Sequence, residues 1–593
     1  MRGVSSEPIF QDLQPGETRL ARRGSFTRSM TAVAEQVKRY RKKIFIIGAF
    51  IGILVGVMIL VGLIRVSPAD SGFADLICGE DKVNYKDIQH YSQATHNLVA
   101  VNFGGWLCLE DWFFSGPVGR YVSTPPNLPQ GQGACLPPLL TGPLDKPWAS
   151  EGELVNRLLK DKGASYAADV FKAHRESFIS REDYKQLKVL GIKSVRIPLS
   201  WAIFADELKR IDPEIYGKHD PEYDTAIVPD PFYKDEIHMA TVPRSWLRDQ
   251  LTMAAEEGLR VVLDMHNMPG GSSDGTYSGI WPLPPKFWKE KVKVGKGDVA
   301  LRQVGLWLND ALVRWVESLD DLLEKGTIWG LCMINEPAHL SAPEGHSWAT
   351  EDDVLSYIEA YTEFFRKSTL PSRGVRLYVQ IIETAFDNFN ARVPDWYHAT
   401  FSDEERGTWA VMARHYYTAW NPQCNGLIQS TKIAGGGYTC DDTIEKITGR
   451  LRDCIFSFAG EFDQLFPKPD LRAVTEWSLG TNPDANLACS NADVLRVLFE
   501  TNVNAFGLLH EKGLIEPFFW TWRMPFGPKF QPGWSLKYFS GMAGDESLDS
   551  NGRCVVGTWA KENPLAGVAM ALAEVSPANS TFGPRSHLKP RLV

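Results

Sequence analysis

Apolar and polar residues along this chain follow two rhythms. Apolar runs of strand length occur at 98–103 (LVAVNF), 194–199 (SVRIPL), 260–266 (RVVLDMH), 328–335 (IWGLCMIN), 375–382, 409–415, 471–476 and 517–522. Between them, amphipathic stretches of helical spacing lie near 183–190, 245–257, 301–323, 352–367, 442–461 and 492–512. Eight strands alternating with helices predict a parallel sheet, most simply a closed (β/α)8 TIM barrel. A doubly wound open sheet would share the pattern but would want a Gly-rich phosphate turn after an early strand, and none stands in that context. The Pro/Gly-rich stretch 116–147 and the segment 205–243 read as long loop insertions.

One segment breaks both rhythms. Ile44 to Ile64 is uncharged throughout, long enough for a helix to cross a bilayer core of about 30 Å. It exceeds the roughly 7–15 apolar residues of a cleaved signal peptide, so it predicts a single N-terminal transmembrane helix acting as a signal anchor. Residues 1–43 carry ten Lys or Arg against four Asp or Glu, ending in Lys38, Arg39, Arg41, Lys42 and Lys43. The positive-inside rule then places this tail, expected to be disordered, in the cytoplasm. The remaining expectations are a linker over 65–97, a catalytic barrel over 98–560 and a tail over 561–593. Residues 66–593, with a net charge of −16, are expected outside the cell, as in a single-pass type II protein of the plasma membrane.

Composition narrows the class. Of 593 residues, 44% are hydrophobic and 23% charged, which excludes a wholly disordered, collagen-like or small disulfide-scaffold protein. A formal net charge of −9 points away from nucleic acid. Nineteen tryptophans supply natural platforms for sugar rings as well as core. Of nine cysteines, Cys332 lies in the apolar run WGLCMI and is expected to be a buried free thiol; the other eight are open to pairing. No CxxC or His/Cys cluster suggests a metal, and no cofactor is implied. Asn579-Ser580-Thr581 is a glycosylation sequon.

Polar residues collect at the C-terminal ends of the apolar runs: Asn102, Arg196, His266, Asn335, Glu336, His415, Glu476 and Trp520. In a barrel such positions converge on the face that carries chemistry. Glu336 and Glu476 both follow apolar strands and are expected to be partly desolvated. Burial raises a carboxyl pKa and suits one of the pair to act as a general acid near neutrality. An acid and a nucleophile flanking one sugar bond make a glycosidase. The competing reading is a structural pairing of either Glu with Arg196.

The chain resembles glycoside hydrolase family five, and within it the fungal-type exo-β-1,3-glucanases. The segments that carry the likeness are NFGGWLCLEDW (102–112), HRESFISREDY (174–184), VRIPLSW (195–201), LDMHNMPGG (263–271), INEP (334–337), RHYYTAW (414–420), TEWS (475–478), FFWTW (518–522) and PGWS (532–535), in family order over 98–540. The resemblance implies a retaining enzyme acting on β-glucan, with Glu336 as acid/base and Glu476 as nucleophile. It implies that Asn335 holds the sugar 2-hydroxyl and that Arg196, His415 and Tyr417 surround the nucleophile. His266 is implied to hydrogen-bond in the pocket, Trp520 to form the floor under the reacting sugar, and Glu110 and Trp534 to contact sugar at the wall. The chain departs from the pattern after the third strand. Gly275 and Thr276 replace the usual aromatic–acid pair, with Asp274 and Tyr277 the nearby candidates to stand in. Arg523-Met524-Pro525 replaces Lys-Thr-Glu after the last strand. The loops 205–243 and 281–298 also differ from those of compact secreted enzymes. Another β-glycan, a glucosylated lipid, or a glycan-binding barrel without catalysis are the alternatives.

Overall fold

In the computed structural model, the described residues are 98–114, 148–337, 348–382, 386, 388–418, 442–480, 492–524 and 532–540. The chain divides into two units, Met1–Ser71 and Gly72–Val593, and the described residues all belong to the second. The expected transmembrane helix, both tails, the linker and the stretch 116–147 lie outside the described residues, as does the glycosylation sequon. Among the described residues no helix is long and apolar enough to cross a membrane.

Eight strands close into a barrel: β1 (Ala100–Asn102), β2 (Ser194–Leu199), β3 (Arg260–Met265), β4 (Ile328–Cys332), β5 (Arg376–Gln380), β6 (Ala410–His415), β7 (Leu471–Trp477) and β8 (Glu516–Phe519). They follow one another around the cylinder, with β1 pairing both β2 and β8. Every neighbouring pair is parallel. Period-two alternation explains why these segments are strands. In β3, Val261, Leu263 and Met265 join the main hydrophobic core outside the barrel, while Val262 joins a separate inner cluster with Ala100, Cys332, Tyr378, Val411, Ala413, Ala473 and Phe518. Small and large side chains share that inner layer, so the cylinder is packed rather than hollow.

The helices cover the outer face. In Leu301–Glu317 the buried positions Leu301, Val304, Leu308, Ala311, Leu312 and Val316 recur at helical spacing. Thr350 opens Glu351–Lys367 and Ser402 opens Asp403–Thr408, each through a reciprocal cap with the acidic residue three positions on.

Several expectations are corrected. The segment 205–243 is no bare loop. It carries the 3-10 helix Trp201–Arg210, the short helix Pro213–Tyr216 and an antiparallel hairpin of Ile227–Pro229 with His238–Ala240. The segment 281–298 holds most of a second hairpin, Lys291–Val294 with Gly297–Ala300. The strand expected to run through Asn335 stops at Cys332, and the last one stops at Phe519. A long helix not foreseen, Glu151–Phe178, precedes β2 and is interrupted at Gly163, whose φ of 88° only glycine adopts readily. Cys332 is a buried free thiol as expected; Cys108, grouped with the cysteines open to pairing, is also free and buried. Cys454 is disulfide-bonded.

Candidate active site

The C-terminal rim of the barrel gathers the polar strand ends around one guanidinium. Arg196, fully buried on β2, donates through Nη1 to Asn102 Oδ1 at 2.9 Å and to Glu476 Oε1 at 2.6 Å. Through Nη2 it donates to Asn335 Oδ1 at 2.6 Å and reaches Asp264 Oδ2 at 2.9 Å. Burial alone would lower its pKa, but the Asp264 and Glu476 carboxylates more than offset that and raise it. Arg196 is therefore a permanent buried cation that fixes one oxygen of Glu476.

The second oxygen of Glu476 is held from the other side. Tyr417 donates its hydroxyl to Oε2 at 2.5 Å, and His415 Nδ1 lies 3.3 Å from the same atom. His415 Nδ1 also lies 2.5 Å from Glu336 Oε1, so one imidazole spans the two carboxylates. Burial and the neighbouring Glu476 push the Tyr417 phenol well above its usual pKa, so it remains a donor. A local irregularity makes this arrangement possible. The β6–β7 register runs Arg414 with Val474, then His415 with Glu476, passing over Thr475. Strict alternation would turn Glu476 away from the interior; the extra residue re-aims it toward His415.

Glu336 enters from the segment after β4. Its φ is +37°, unusual for a residue with a side chain, and its backbone N–H donates to the Gln380 side-chain oxygen at the end of β5. Next to it, Asn335 has its amide oxygen on Arg196, leaving its NH2 to donate to a ligand. The site's wall comes from β3 and β8. His266 Nδ1 is 2.7 Å from Asp264 Oδ2, and its ring stacks parallel to Trp520 with centroids 5.7 Å apart. Burial alone would raise Asp264, yet Arg196 and His266 hold it below the usual carboxylate range. Trp520 is packed so closely that a Cβ on Gly104 would come 2.7 Å from its ring, so glycine is needed there. Trp534 sits 5.5 Å from the Tyr417 ring and 5.0 Å from Trp112.

Glu110 completes the rim. It accepts from Trp112 Nε1 at 2.7 Å and Thr276 Oγ1 at 3.3 Å, and burial pushes its pKa up to about 7. Thr276 thus reaches the site from the position where the aromatic–acid pair was missing. Tyr277 reaches it too, with its hydroxyl 2.8 Å from Ser273 Oγ and its pKa raised by burial and by the charge of Glu336.

All ten residues singled out from sequence are thus drawn to one rim. Four others went unnoticed as parts of the site: Asp264, Gln380, Trp112 and Thr276. Asp264 stands two residues before His266, and Gln380 two after Tyr378, so the period-two rule put both inside the barrel. As single polar residues within apolar runs they gave no other signal.

Oxygens of Glu336 and Glu476 and a nitrogen of His415 all lie within 4.8 Å of one another. By spacing alone these three could hold a divalent cation, but Arg196 and Tyr417 already engage the two oxygens of Glu476. One carboxylate is held by a guanidinium and a phenol, and the other meets the His415 imidazole and the Tyr277 phenol and is 14% exposed. Two such carboxylates on the C-terminal rim of a TIM barrel define a glycosidase-type site.

The sequence has relatives among curated proteins. No protein-family model matches the chain. It is 24% identical over 383 residues to a probable glucan 1,3-beta-glucosidase A of Aspergillus clavatus, spanning 63% of this chain and 68% of that protein. It is 23% identical over 459 residues to a probable glucan 1,3-beta-glucosidase D of Aspergillus fumigatus, spanning 72% of this chain and 44% of that one. With the glucan 1,3-beta-glucosidase 3 of Schizosaccharomyces pombe it shares 26% over 211 residues, 35% of each chain. In the last two cases the match covers less than half of the relative. Among solved structures, a rutinosidase from Aspergillus niger superposes with a TM-score of 0.45 at 15% identity, over 74% of this chain and 96% of that one. The relatives bear the name that the motif resemblance implied.

Proposed function

We propose that this chain is a retaining glycoside hydrolase that cleaves β-1,3-glucosidic bonds of a β-glucan by double displacement. The observation that carries the reading is the approach of the two carboxylates. Retaining enzymes hold them about 5–5.5 Å apart, whereas inverting enzymes leave about 6.5–9.5 Å for a water. An oxygen of Glu336 within 4.8 Å of an oxygen of Glu476 supports the first class.

The roles follow from the partners. Glu476, tied to Arg196 and Tyr417, is oriented to attack the anomeric carbon. Glu336, beside the His415 imidazole and the Tyr277 phenol, protonates the departing oxygen and later deprotonates the water that releases the glycosyl-enzyme. The Asn335 NH2 donates to the sugar 2-hydroxyl, a contact that strengthens as positive charge builds at the ring. Trp520 carries the apolar face of the sugar, and Glu110 and Trp534 bound the pocket. The glucan specificity is supported by the names of the relatives.

The same proposal assigns residues 44–64 as a single-pass membrane anchor, with 1–43 in the cytoplasm and the barrel displayed outside at the plasma membrane. The charge asymmetry across that segment supports it. The functional test is proton NMR of the first product released from laminarin by the full-length protein in detergent. The β-anomer is expected; initial release of the α-anomer, or no cleavage of laminarin alongside cleavage of cellulose, mannan or glucosylceramide, overturns the mechanism or the substrate respectively.

A further inference from the structure

We propose that Gln380 is a positioning residue for the reaction, its side-chain oxygen holding the main chain of Glu336 in the conformation that aims the carboxyl at the scissile bond. The inference rests on the reading of Glu336 as acid/base. Three observations lead to it.

First, Glu336 occupies the left-handed region, with φ at +37°, and is followed by Pro337, which further restricts the residue before it. A residue with a Cβ stays there only when its surroundings over-determine it. Second, the restraint is visible. The Glu336 N–H donates to Gln380 Oε1, while the preceding residue is pinned by the Asn335 N–H to Met265 O at 3.1 Å and by Asn335 Oδ1 on Arg196. The Glu336 carboxyl meets the His415 imidazole and the Tyr277 phenol, and the main-chain conformation that Gln380 holds sets where that carboxyl starts from.

Third, Gln380 is a poor choice for packing alone. It is fully buried, yet its Nε2 has no hydrogen-bond partner. A buried amide with an unmet donor is a cost that an apolar side chain of similar shape would avoid. The gain that offsets it is the one acceptor aimed at Glu336. Other polar groups around Glu336 are His415 from β6, Tyr417 just beyond it, Glu476 from β7, and Tyr277 and Glu110 from the loops after β3 and β1. None of them accepts from its backbone N–H, so none can substitute for Gln380.

The test compares Gln380→Met, which keeps the shape and removes the acceptor, with Gln380→Glu, which keeps an acceptor, and with Glu336→Gln in parallel. Each is assayed for kcat/KM on a substrate with a poor leaving group, laminaribiose, and on 2,4-dinitrophenyl β-glucoside, which needs no acid. A misplacement of about 1 Å can cost about 100-fold. Gln380→Met is therefore expected to lose about 10–100-fold on laminaribiose and less than about 3-fold on the activated glucoside. Gln380→Glu is expected to recover at least part of the loss. Thermal melting separates these effects from unfolding. If Glu336→Gln shows the leaving-group split but Gln380→Met loses equally on both substrates, or on neither, the positioning role is overturned while the acid/base reading stands. If Glu336→Gln itself shows no split, the reading of Glu336 falls and the proposal falls with it.

Discussion

Glu110 offers a stability test that needs no substrate. Its carboxyl is 4% exposed and accepts from the Trp112 indole and the Thr276 hydroxyl, neither of which carries charge. Burial moves its pKa from 4.5 to about 7. A raised acid favours the folded state only while it is protonated. Below pH 4.5 both states hold the proton, and stability is unaffected. Between 4.5 and about 7 the unfolded chain releases its proton more easily, so stability falls as pH rises, and above about 7 the full cost is present. At 1.36 kcal/mol per pH unit that cost is about 3 kcal/mol. The change Glu110→Gln keeps an acceptor for both donors and abolishes the ionisation. It also relieves Asp111, raised to about 8 by burial and then by the charge of Glu110, so both effects share one sign. With about 2.1 cal/mol/K per residue of unfolding entropy, 3 kcal/mol in a barrel of several hundred residues is about 3–4 °C in Tm. Scanning calorimetry of both proteins at pH 5 and pH 8 is the assay. The variant is expected to gain about 3 °C on the native protein between pH 5 and pH 8. A difference that is the same at both pH values refutes the desolvation argument for this site.

Other consequences are simpler. Tyr417→Phe removes one charge-assisted hydrogen bond to Glu476, a contact of about 1.5–3 kcal/mol, so kcat/KM should fall about 10–100-fold with melting unchanged; full activity would remove Tyr417 from the nucleophile's support. Trp520→Ala should raise KM for laminarin while the chain still folds, checked by steady-state kinetics and circular dichroism; an unfolded product would make Trp520 a core residue. Deleting residues 44–64 should move the protein from the membrane pellet to the soluble fraction, and continued pelleting would contradict the anchor.

The barrel was legible because its strands obey one rule. Period-two alternation makes Val261, Leu263 and Met265 face the helices while Val262 faces inward, and the same alternation recurs around the cylinder. The site was legible because its chemistry sits at strand ends. What escaped has physical reasons. The helix Glu151–Phe178 mixes Lys, Ala and Gly and is broken at Gly163, so no continuous apolar stripe marks it. The inward turn of Glu476 depends on a register irregularity that pairing creates and sequence does not display. Gln380 and Asp264 serve through partners more than 40 residues away in the chain, Glu336 and Arg196, and nothing local distinguishes them from ordinary polar residues in a strand. The hairpins within 205–243 and 281–298 are short, and their few apolar residues gave too brief a rhythm to read.

The central claim is that Glu476 attacks carbon and carries the sugar covalently while Glu336 handles the proton. Incubating the protein with 2,4-dinitrophenyl 2-deoxy-2-fluoro-β-glucoside should trap that intermediate, and peptide mass spectrometry should find one fluoroglucosyl group on Glu476. A label on any other residue, or steady turnover with no covalent adduct in the presence of the trap, would contradict it.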